Sequence, residues 1–326
     1  MPASVTMILC VVMLVSACVS FGLGPAVSFH EAWLGLINGE GVAGTVAREI
    51  RLPRALLALI VGAALGGSGA ALQGLFRNPL AEPGITGVTA CAGLGAVIAL
   101  YFGLAAAHPL LLPTFAITGA LLCAALLYGL SRRGAGVVAL ILSGVAIATL
   151  AAALTAFALS MARNPFAVTE MVLWLMGSLK DRTMSDIAFA APLVVAGLVL
   201  LVTQGRALNA LALGDDAAQS LGVNVARVRV MVVFGVALAA GASTAAAGGV
   251  AFVGLVVPHV LRPFYGYAPG RLVAPSALGG AALVSLADIA VRLLSPPGGE
   301  LLLGVFTALV GAPFFFWLIF HLRNAT

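Results

Sequence analysis

The fold class of this chain is decided by one uncharged stretch, Leu56-Leu57-Ala58-Leu59-Ile60-Val61-Gly62-Ala63-Ala64-Leu65-Gly66-Gly67-Ser68-Gly69-Ala70-Ala71-Leu72. With its flanks it fills residues 54–75, and a helix needs about 20 predominantly apolar residues to cross a bilayer. Its glycines suit close helix–helix approach in lipid, where small residues let backbones touch. This segment therefore predicts a buried membrane-spanning helix.

The rest of the chain has the same character. Hydrophobic residues make up 62% of the 326 positions and charged residues only 8%, whereas a soluble domain carries about 25% charged residues. The apolar runs are continuous, which excludes the alternating pattern of a membrane β-barrel. The composition predicts an all-α polytopic membrane protein with one transmembrane domain over residues 1–326. About ten stretches meet the length criterion for a span, namely 3–24, 54–75, 85–103, 110–130, 137–160, 184–203, 224–247, 250–264, 272–293 and 301–321.

The first stretch is expected to stay attached as a span. Val15-Ser16-Ala17-Cys18 is similar to a lipoprotein cleavage site, but residues 1–20 contain no Lys or Arg, so the basic region of a signal peptide is missing. A cytoplasmic N-terminus places the larger share of Lys and Arg on the inner side, which is the side that basic loops prefer. The four cysteines show no CxxC spacing, so no metal or redox site is predicted.

Two arginines in Arg51-Leu52-Pro53-Arg54 are then predicted to lie at the outer mouth of the second span. One interpretation is anchoring in lipid headgroups, because Arg readily extends to the interface. The other is a docking surface for an acidic partner outside the membrane, because Arg pairs with carboxylates in a bidentate manner.

The sequence excludes ATP hydrolysis by a phosphate-binding loop. The single lysine, Lys180, follows Leu179, so the motif G-x-x-x-x-G-K-[ST] cannot be formed. Asp288 is the one embedded carboxylate of note, and it lies four residues before Arg292, so the two are expected to pair on one helical face. A proton-driven transporter would be expected to carry more embedded acids or histidines.

The inner loop at 206–222 is different from the other loops. Asp215 and Asp216 are placed to open a helix, and Gly222 is placed to end one. The segment has an apolar side, so it either lies on the membrane surface or docks into a groove on a cytoplasmic partner.

Several segments resemble the permease family of type II ABC importers for ferric siderophores, heme and cobalamin. The resemblance covers nearly the whole chain from residue 50 onward. The segments that carry it are 51–54, 68–74, 77–84, 212–216, 220–223, 252–259, 287–288, 304–305, 307 and 311–314.

The resemblance implies a homodimer with ten spans per subunit, two cytoplasmic ATPase subunits and a periplasmic binding protein. Divided accordingly, the chain has a first span (1–24), a periplasmic segment (25–52), spans two to six (53–203), coupling helices (204–223) and spans seven to ten (224–326). The chain itself would be no enzyme and would hold no cofactor or metal, since ATP and Mg bind to the partner ATPase.

Residue roles are likewise implied by the resemblance. Docking of the binding protein is assigned to Arg51, Arg54 and Arg292. Coupling to the ATPase is assigned to Leu213, Gly214, Asp215, Asp216, Ser220, Leu221 and Gly222. The gate of the pathway is assigned to the outer helix with Phe166, Met171, Trp174 and Met176. The protein would lie in the bacterial inner membrane and work by alternating access.

The cargo is left open by the sequence. Heme is the first expectation, a ferric siderophore the second and cobalamin the third. His259 is a conceivable heme ligand, although it lies in a motif that the family shares across cargoes. A proton-coupled secondary transporter is the alternative from a different class.

Overall fold

The computed structural model describes residues 2–24, 26–131, 136–296 and 299–323. Within these ranges every regular element is a helix. Seven helical stretches are long and apolar enough to cross a membrane, which confirms the predicted all-α polytopic fold class. They are Ala3–Gly22, Gly41–Phe76, Leu111–Leu130, Val137–Met161, Met184–Thr203, Val225–Ala247 and Pro269–Leu294.

The α-helices are numbered here in chain order. They are α1 (Pro2–Gly22), α2 (Phe29–Asn38), α3 (Gly41–Thr45), α4 (Leu52–Phe76), α5 (Val88–Tyr101), α6 (Leu104–Ala107), α7 (Leu111–Ser131), α8 (Val137–Met161), α9 (Pro165–Leu175), α10 (Met184–Thr203), α11 (Gly205–Leu211), α12 (Asp215–Ser220), α13 (Val225–Ala247), α14 (Val253–Leu261), α15 (Pro269–Leu294) and α16 (Leu303–Arg323). A π-helical turn (Val46–Arg51) joins α3 to α4, and 3₁₀ turns (Pro83–Thr86 and Arg262–Tyr265) precede α5 and follow α14.

The centre of the bundle is a close pair formed by α4 and α15. A methyl group placed on Gly62 would lie 2.1 Å from the carbonyl oxygen of Gly280, and one placed on Gly66 would lie 2.0 Å from that of Ser276. Backbone therefore touches backbone along this contact. The prediction that the glycines of α4 serve helix packing is confirmed.

The remaining spans surround this pair at different depths. α4 and α13 are mostly enclosed by protein, whereas α1 and α8 lie at the edge of the subunit. The outward face of α8 carries large apolar side chains, among them Leu142, Val145, Leu154 and Phe157. In a membrane such a face is covered by lipid or by another protein chain.

The prediction of a spanning helix at 250–264 is wrong. Within this stretch α14 has only nine residues, which is about 13 Å of α-helix, and a short 3₁₀ turn follows it. The hydrocarbon core is about 30 Å thick. The chain reaches α14 through Gly248 (φ 72°) and Phe252 (φ 66°), both in the left-handed region. This turn occupies the first part of the apolar run. The third predicted stretch, 85–103, is also shortened, to the 14 residues of α5.

The segment between the first two spans is folded rather than extended. The hydroxyl of Ser28 accepts a hydrogen bond from the Glu31 amide, and the Glu31 carboxylate accepts one from the Ser28 amide, so α2 begins with a capping box. The rings of Phe21 and Trp33 meet edge to face at 4.6 Å between centroids and fix α2 against the end of α1. This segment thus packs on the end of the bundle where α4 begins and α15 ends.

Candidate functional site

The end of the bundle where α4 begins and α15 ends is called the outer end here. Arg54 is the centre of an ion-pair network at this end. Its Nε donates to Asp288 Oδ1 at 2.8 Å, and its two terminal nitrogens pair with the Glu300 carboxylate at 3.1 and 2.6 Å. The side chain of Asp288 is only 1% exposed and that of Arg54 11%. A buried carboxylate is tolerated in lipid when it is paired in this way.

Arg292 joins the same network from the other side of Asp288. Its Nη2 lies 3.0 Å from Asp288 Oδ2, which confirms the predicted pair at a spacing of four residues. Its guanidinium also donates to the carbonyl oxygens of Ser20 and Leu23 and to the Ser20 hydroxyl. Arg292 therefore ties the end of α1 to the end of α15.

Arg51 is bound by backbone rather than by acids. Its guanidinium donates to the carbonyl oxygens of Gly22, Gly24 and Val27, and the residue is 5% exposed. The carbonyls at the end of a helix lack partners within the helix and carry partial negative charge. Arg51 satisfies them where α1 ends.

The three predicted docking arginines are thus brought together, but their guanidinium groups face inward. Docking of an acidic partner would require Arg54 or Arg292 to exchange one carboxylate for another. The role in docking stays a prediction. Sequence reasoning missed Glu300, because it lies between α15 and α16, outside any helix, and no helical spacing relates it to Arg54.

At the opposite, inner end, the predicted coupling segment forms two short helices, α11 and α12. Asp215 opens α12, and Gly222 follows that helix with a φ of 81°, as the sequence predicts. Leu208, Leu211 and Ala218 are buried against the bundle, whereas Leu213 and Leu221 are 70% and 65% exposed. The two exposed leucines leave an apolar surface at this end of the protein.

One carboxylate holds α12 in place. Asp215 Oδ2 lies 2.5 Å from Arg229 Nη2, and Asp215 Oδ1 lies 3.4 Å from Arg77 Nη2. Arg77 is the residue that ends α4 in the left-handed conformation, and Arg229 belongs to α13. Asp215 therefore connects the coupling segment to two central helices. Gly214 and Ser220, also assigned to coupling, lie before and at the end of α12.

The four predicted gate residues lie on or just after α9, in two different environments. Phe166 and Met176 are 85% and 41% exposed, whereas Met171 and Trp174 are buried at 0% and 8%. Trp174 lines a cavity of about 360 Å³, together with Thr89, Thr155 and Thr244. The structure thus separates exposed gate candidates from packed ones.

Behind α9, three backbone segments meet at glycines. A methyl group on Gly177 would lie 2.2 Å from the Gly249 carbonyl oxygen, and one on Gly304 would lie 2.0 Å from the same atom. The Ser178 amide donates to the Ala247 carbonyl at 2.8 Å. We call this contact of residues 177, 249 and 304 the glycine junction. It joins the segment after α9 to the end of α13 and to the start of α16.

His259 lies on α14 and is partly buried. Its Nδ1 is buried and has no hydrogen-bond partner among the described residues. No group of three or more His, Cys, Asp or Glu that could hold a metal ion is found in the described ranges. A role of His259 as a heme ligand stays a prediction.

Residues 8–321 match the FecCD transport family. The chain is 40% identical over 284 residues to the hemin transport system permease protein HmuU of Yersinia pestis, covering 85% of this chain and 83% of that protein. It is 41% identical over 278 residues to the Fe(3+) dicitrate transport system permease protein FecD of Escherichia coli (strain K12), covering 85% and 86%. It is 39% identical over 274 residues to the vitamin B12 import system permease protein BtuC of Salmonella typhi, covering 83% and 82%.

The fold is also similar to a solved structure. That structure is described as an inward-facing conformation of a transporter assigned to the metal-chelate ABC type. The TM-score is 0.87 at 30% identity, and the likeness covers 98% of this chain and 99% of the other. It confirms the predicted type II ABC importer permease fold. The chain belongs to the FecCD transport family.

Proposed function

We propose that this chain is the membrane-spanning subunit of an ATP-driven importer that carries an iron chelate, with heme as the first candidate. One observation carries the proposal: a coupling segment is held to the bundle by Asp215 and presents Leu213 and Leu221 outward. The chain has no phosphate-binding loop of its own, so that surface fits a cytoplasmic ATPase as the source of energy. No residue of the chain performs catalysis.

The coupling segment supports alternating access as the mechanism. Asp215 connects α12 to the ends of α4 and α13, which are the helices enclosed most fully by protein. Movement of an ATPase that holds α12 would therefore reach the centre of the bundle rather than its edge. In the proposed function the protein lies in the bacterial inner membrane, with the inner end and the N-terminus in the cytoplasm.

The outer end supports docking of a periplasmic binding protein. Arg51, Arg54 and Arg292 lie together there with Asp288 and Glu300. Arg54 is 11% exposed and Glu300 18%, so this pair is the part of the network that an acidic partner reaches first. Docking then exchanges the Glu300 carboxylate for one on the binding protein.

The exposed apolar faces support a homodimer. The outward side chains of α8 and those of Leu309, Val310, Phe316 and Trp317 on α16 are large and apolar. A second copy of the chain, placed against these faces, would enclose a pathway between the two subunits. A further apolar cavity, lined by Phe252, Val256, Phe306 and Val310 among others, lies beside α16 and suits weak, unspecific contact with a large chelate.

The names of the relatives do not separate the possible cargoes. HmuU, FecD and BtuC are named for hemin, ferric dicitrate and vitamin B12, and their identities to this chain are 40%, 41% and 39%. The ferric siderophore and cobalamin alternatives therefore stay beside heme. A proton-coupled transporter would need an embedded carboxylate that binds a proton. Asp288 is the candidate, and its ion pairs with two arginines disfavour that role.

Reconstitution tests the proposal. The chain is placed in sealed vesicles with its cognate ATPase and binding protein, and heme, a ferric siderophore and cobalamin are each offered from the binding-protein side. We expect ATP-dependent accumulation, with heme giving the strongest stimulation of hydrolysis. The control omits the ATPase and applies a pH gradient instead. Accumulation in that control would refute the proposal.

A further inference from the structure

The inner end contains a polar cavity that the proposed function does not use. Its volume is about 180 Å³, and it lies between the end of α4, the start of α15 and the loop that joins α11 to α12. The polar side chains on its wall are Gln73, Arg77, Asn78, Arg262 and Tyr267. None of the residues described on this wall is acidic.

Arg262 brings an uncompensated positive charge to this cavity. Its Nη2 donates to Gln73 Oε1, and no carboxylate within the described ranges lies within ion-pair distance of it. The Gln73 amide is fixed in turn, because its Nε2 donates to the carbonyl oxygens of Gly254 and Leu255. The guanidinium is therefore held in position by a neutral group. A partly buried cation without a counter-ion favours binding of an anion.

The neighbouring groups add to the positive potential. Arg77 shares the single carboxylate of Asp215 with Arg229, and its own contact is the longer one, 3.4 Å against 2.5 Å. Asn78 uses its side-chain oxygen to accept from the Leu80 amide, so its nitrogen remains a donor. Pro269, the first residue of the long helix α15, also lies on the wall. Pro269 has no N–H and the Gly270 amide donates to Asn209 Oδ1, so the start of α15 contributes its partial positive charge rather than a donor.

From this arrangement we propose that the cavity binds a phosphate group. Two arginine forks and an amide nitrogen form a donor set suited to phosphate oxygens, and the start of α15 adds partial positive charge. Basic pockets between helices on the cytoplasmic side recognise the headgroups of anionic lipids, and a soluble phosphate compound would offer the same oxygens. A bound phosphate would compete with Asp215 for Arg77, so occupancy would loosen one of the two ion pairs that hold α12.

The experiment uses the full chain in nanodiscs of zwitterionic phosphatidylcholine. Phosphatidylglycerol is added in one arm and inorganic phosphate in the other, and binding is followed by native mass spectrometry and by the unfolding temperature. We expect saturable binding of phosphatidylglycerol that Arg262→Gln weakens about tenfold or more, as loss of a charged hydrogen bond implies. The control Arg227→Gln removes an exposed arginine at the same end and is expected to bind as the unchanged chain does.

The outcomes separate the sources of the phosphate. Binding of inorganic phosphate alone, weakened by Arg262→Gln, supports the site with a soluble ligand. Equal binding by the Arg262→Gln and unchanged chains overturns it, as does the absence of binding in both arms. If Arg262→Gln does not fold, Ala212→Glu places a carboxylate on the exposed rim of the cavity. It should weaken binding, whereas Ala212→Gln, of the same size and uncharged, should not.

Discussion

Arg54 and Glu300 face each other as a bidentate pair, with Nη1 lying 3.1 Å from Oε2 and Nη2 lying 2.6 Å from Oε1. The same guanidinium donates through Nε to Asp288. An acidic protein that approaches the outer end therefore meets an arginine that already has its carboxylates. The docking that we propose would therefore include the free-energy cost of separating Arg54 from Glu300.

The variant Glu300→Gln tests this exchange. It keeps the size of the side chain and removes its charge, so Arg54 becomes easier to recruit. We expect the affinity for the binding protein to rise at least about fivefold, which corresponds to about 1 kcal/mol, because this mostly buried ion pair no longer has to be broken. Titration of the reconstituted complex with labelled binding protein measures it. The control is Glu40→Gln, which changes an exposed acid in the segment between the first two spans. Unchanged or weaker affinity for Glu300→Gln would contradict the exchange.

Arg51 is expected to act mainly on stability. Arg51→Gln leaves up to three buried carbonyl oxygens without a donor, and each costs about 1–3 kcal/mol. The unfolding temperature in detergent should fall by several degrees. Arg163→Gln, which changes an exposed arginine between α8 and α9, serves as the control and should leave it unchanged. An unchanged unfolding temperature for Arg51→Gln would show that water replaces the lost donors.

The close α4–α15 contact predicts that even a glycine-to-alanine substitution lowers the stability of the protein. Gly66→Ala directs a methyl group at the Ser276 carbonyl oxygen, 2.0 Å away, and overpacking of this kind costs about 1–3 kcal/mol. Gly129→Ala is the matched control, since α7 has nothing within 4 Å of that position. Alanine there should be neutral or stabilising by up to about 1 kcal/mol. Denaturation of the two variants in one detergent compares them, and equal effects would refute the close contact.

Asp215→Asn should uncouple ATP hydrolysis from transport. The amide cannot neutralise Arg229 and Arg77, so α12 loses its firm attachment to the bundle. We expect accumulation per ATP hydrolysed to fall about tenfold, as expected when a charged hydrogen bond is lost. Asp216→Asn, a change at the next position, should retain most of the coupling. Similar ratios for the two variants would remove the special role of Asp215.

The stability of the start of α2 should depend on pH. Hydrogen bonds from the hydroxyl and the amide of Ser28 hold the pKa of Glu31 below its usual value. The stabilisation is therefore complete above the pKa of the unfolded chain and is lost as the pH falls through the lower pKa of the folded protein. The protection of the α2 amides from hydrogen exchange, measured relative to the intrinsic rate at each pH, should fall over that acidic window. Glu31→Gln should abolish the pH dependence; a dependence that persists in the variant would assign it to another group.

Local spacing predicted part of the outer network and missed the rest. Asp288 and Arg292 stand four residues apart on one helix, so their contact followed from helical geometry alone. Glu300 lies beyond the end of α15, outside any helix, so no helical spacing relates it to Arg54, although the two form an ion pair. Likewise, the sequence placed Arg51 at the outer mouth, but it could not show that the end of α1 supplies carbonyls to bind it.

Hydropathy predicted the long spans and failed at α14. The run at 250–264 is as apolar as a spanning helix. However, Phe252 adopts a left-handed conformation, so α14 cannot extend towards the N-terminus beyond Val253. This conformation could not be predicted from the sequence, because a left-handed backbone is uncommon for a large aromatic residue. The glycines of α4 behaved as predicted, because their role depends on size alone.

The glycine junction has a consequence for how displacement travels through the subunit. Where helices contact through side chains, a small shift of one helix can be accommodated by a change of rotamer. Peptide groups in direct contact cannot adjust in this way. A push on α9 from outside must be passed on to the last helix or stopped altogether. The junction thus makes a rigid backbone contact between α9 and the start of α16.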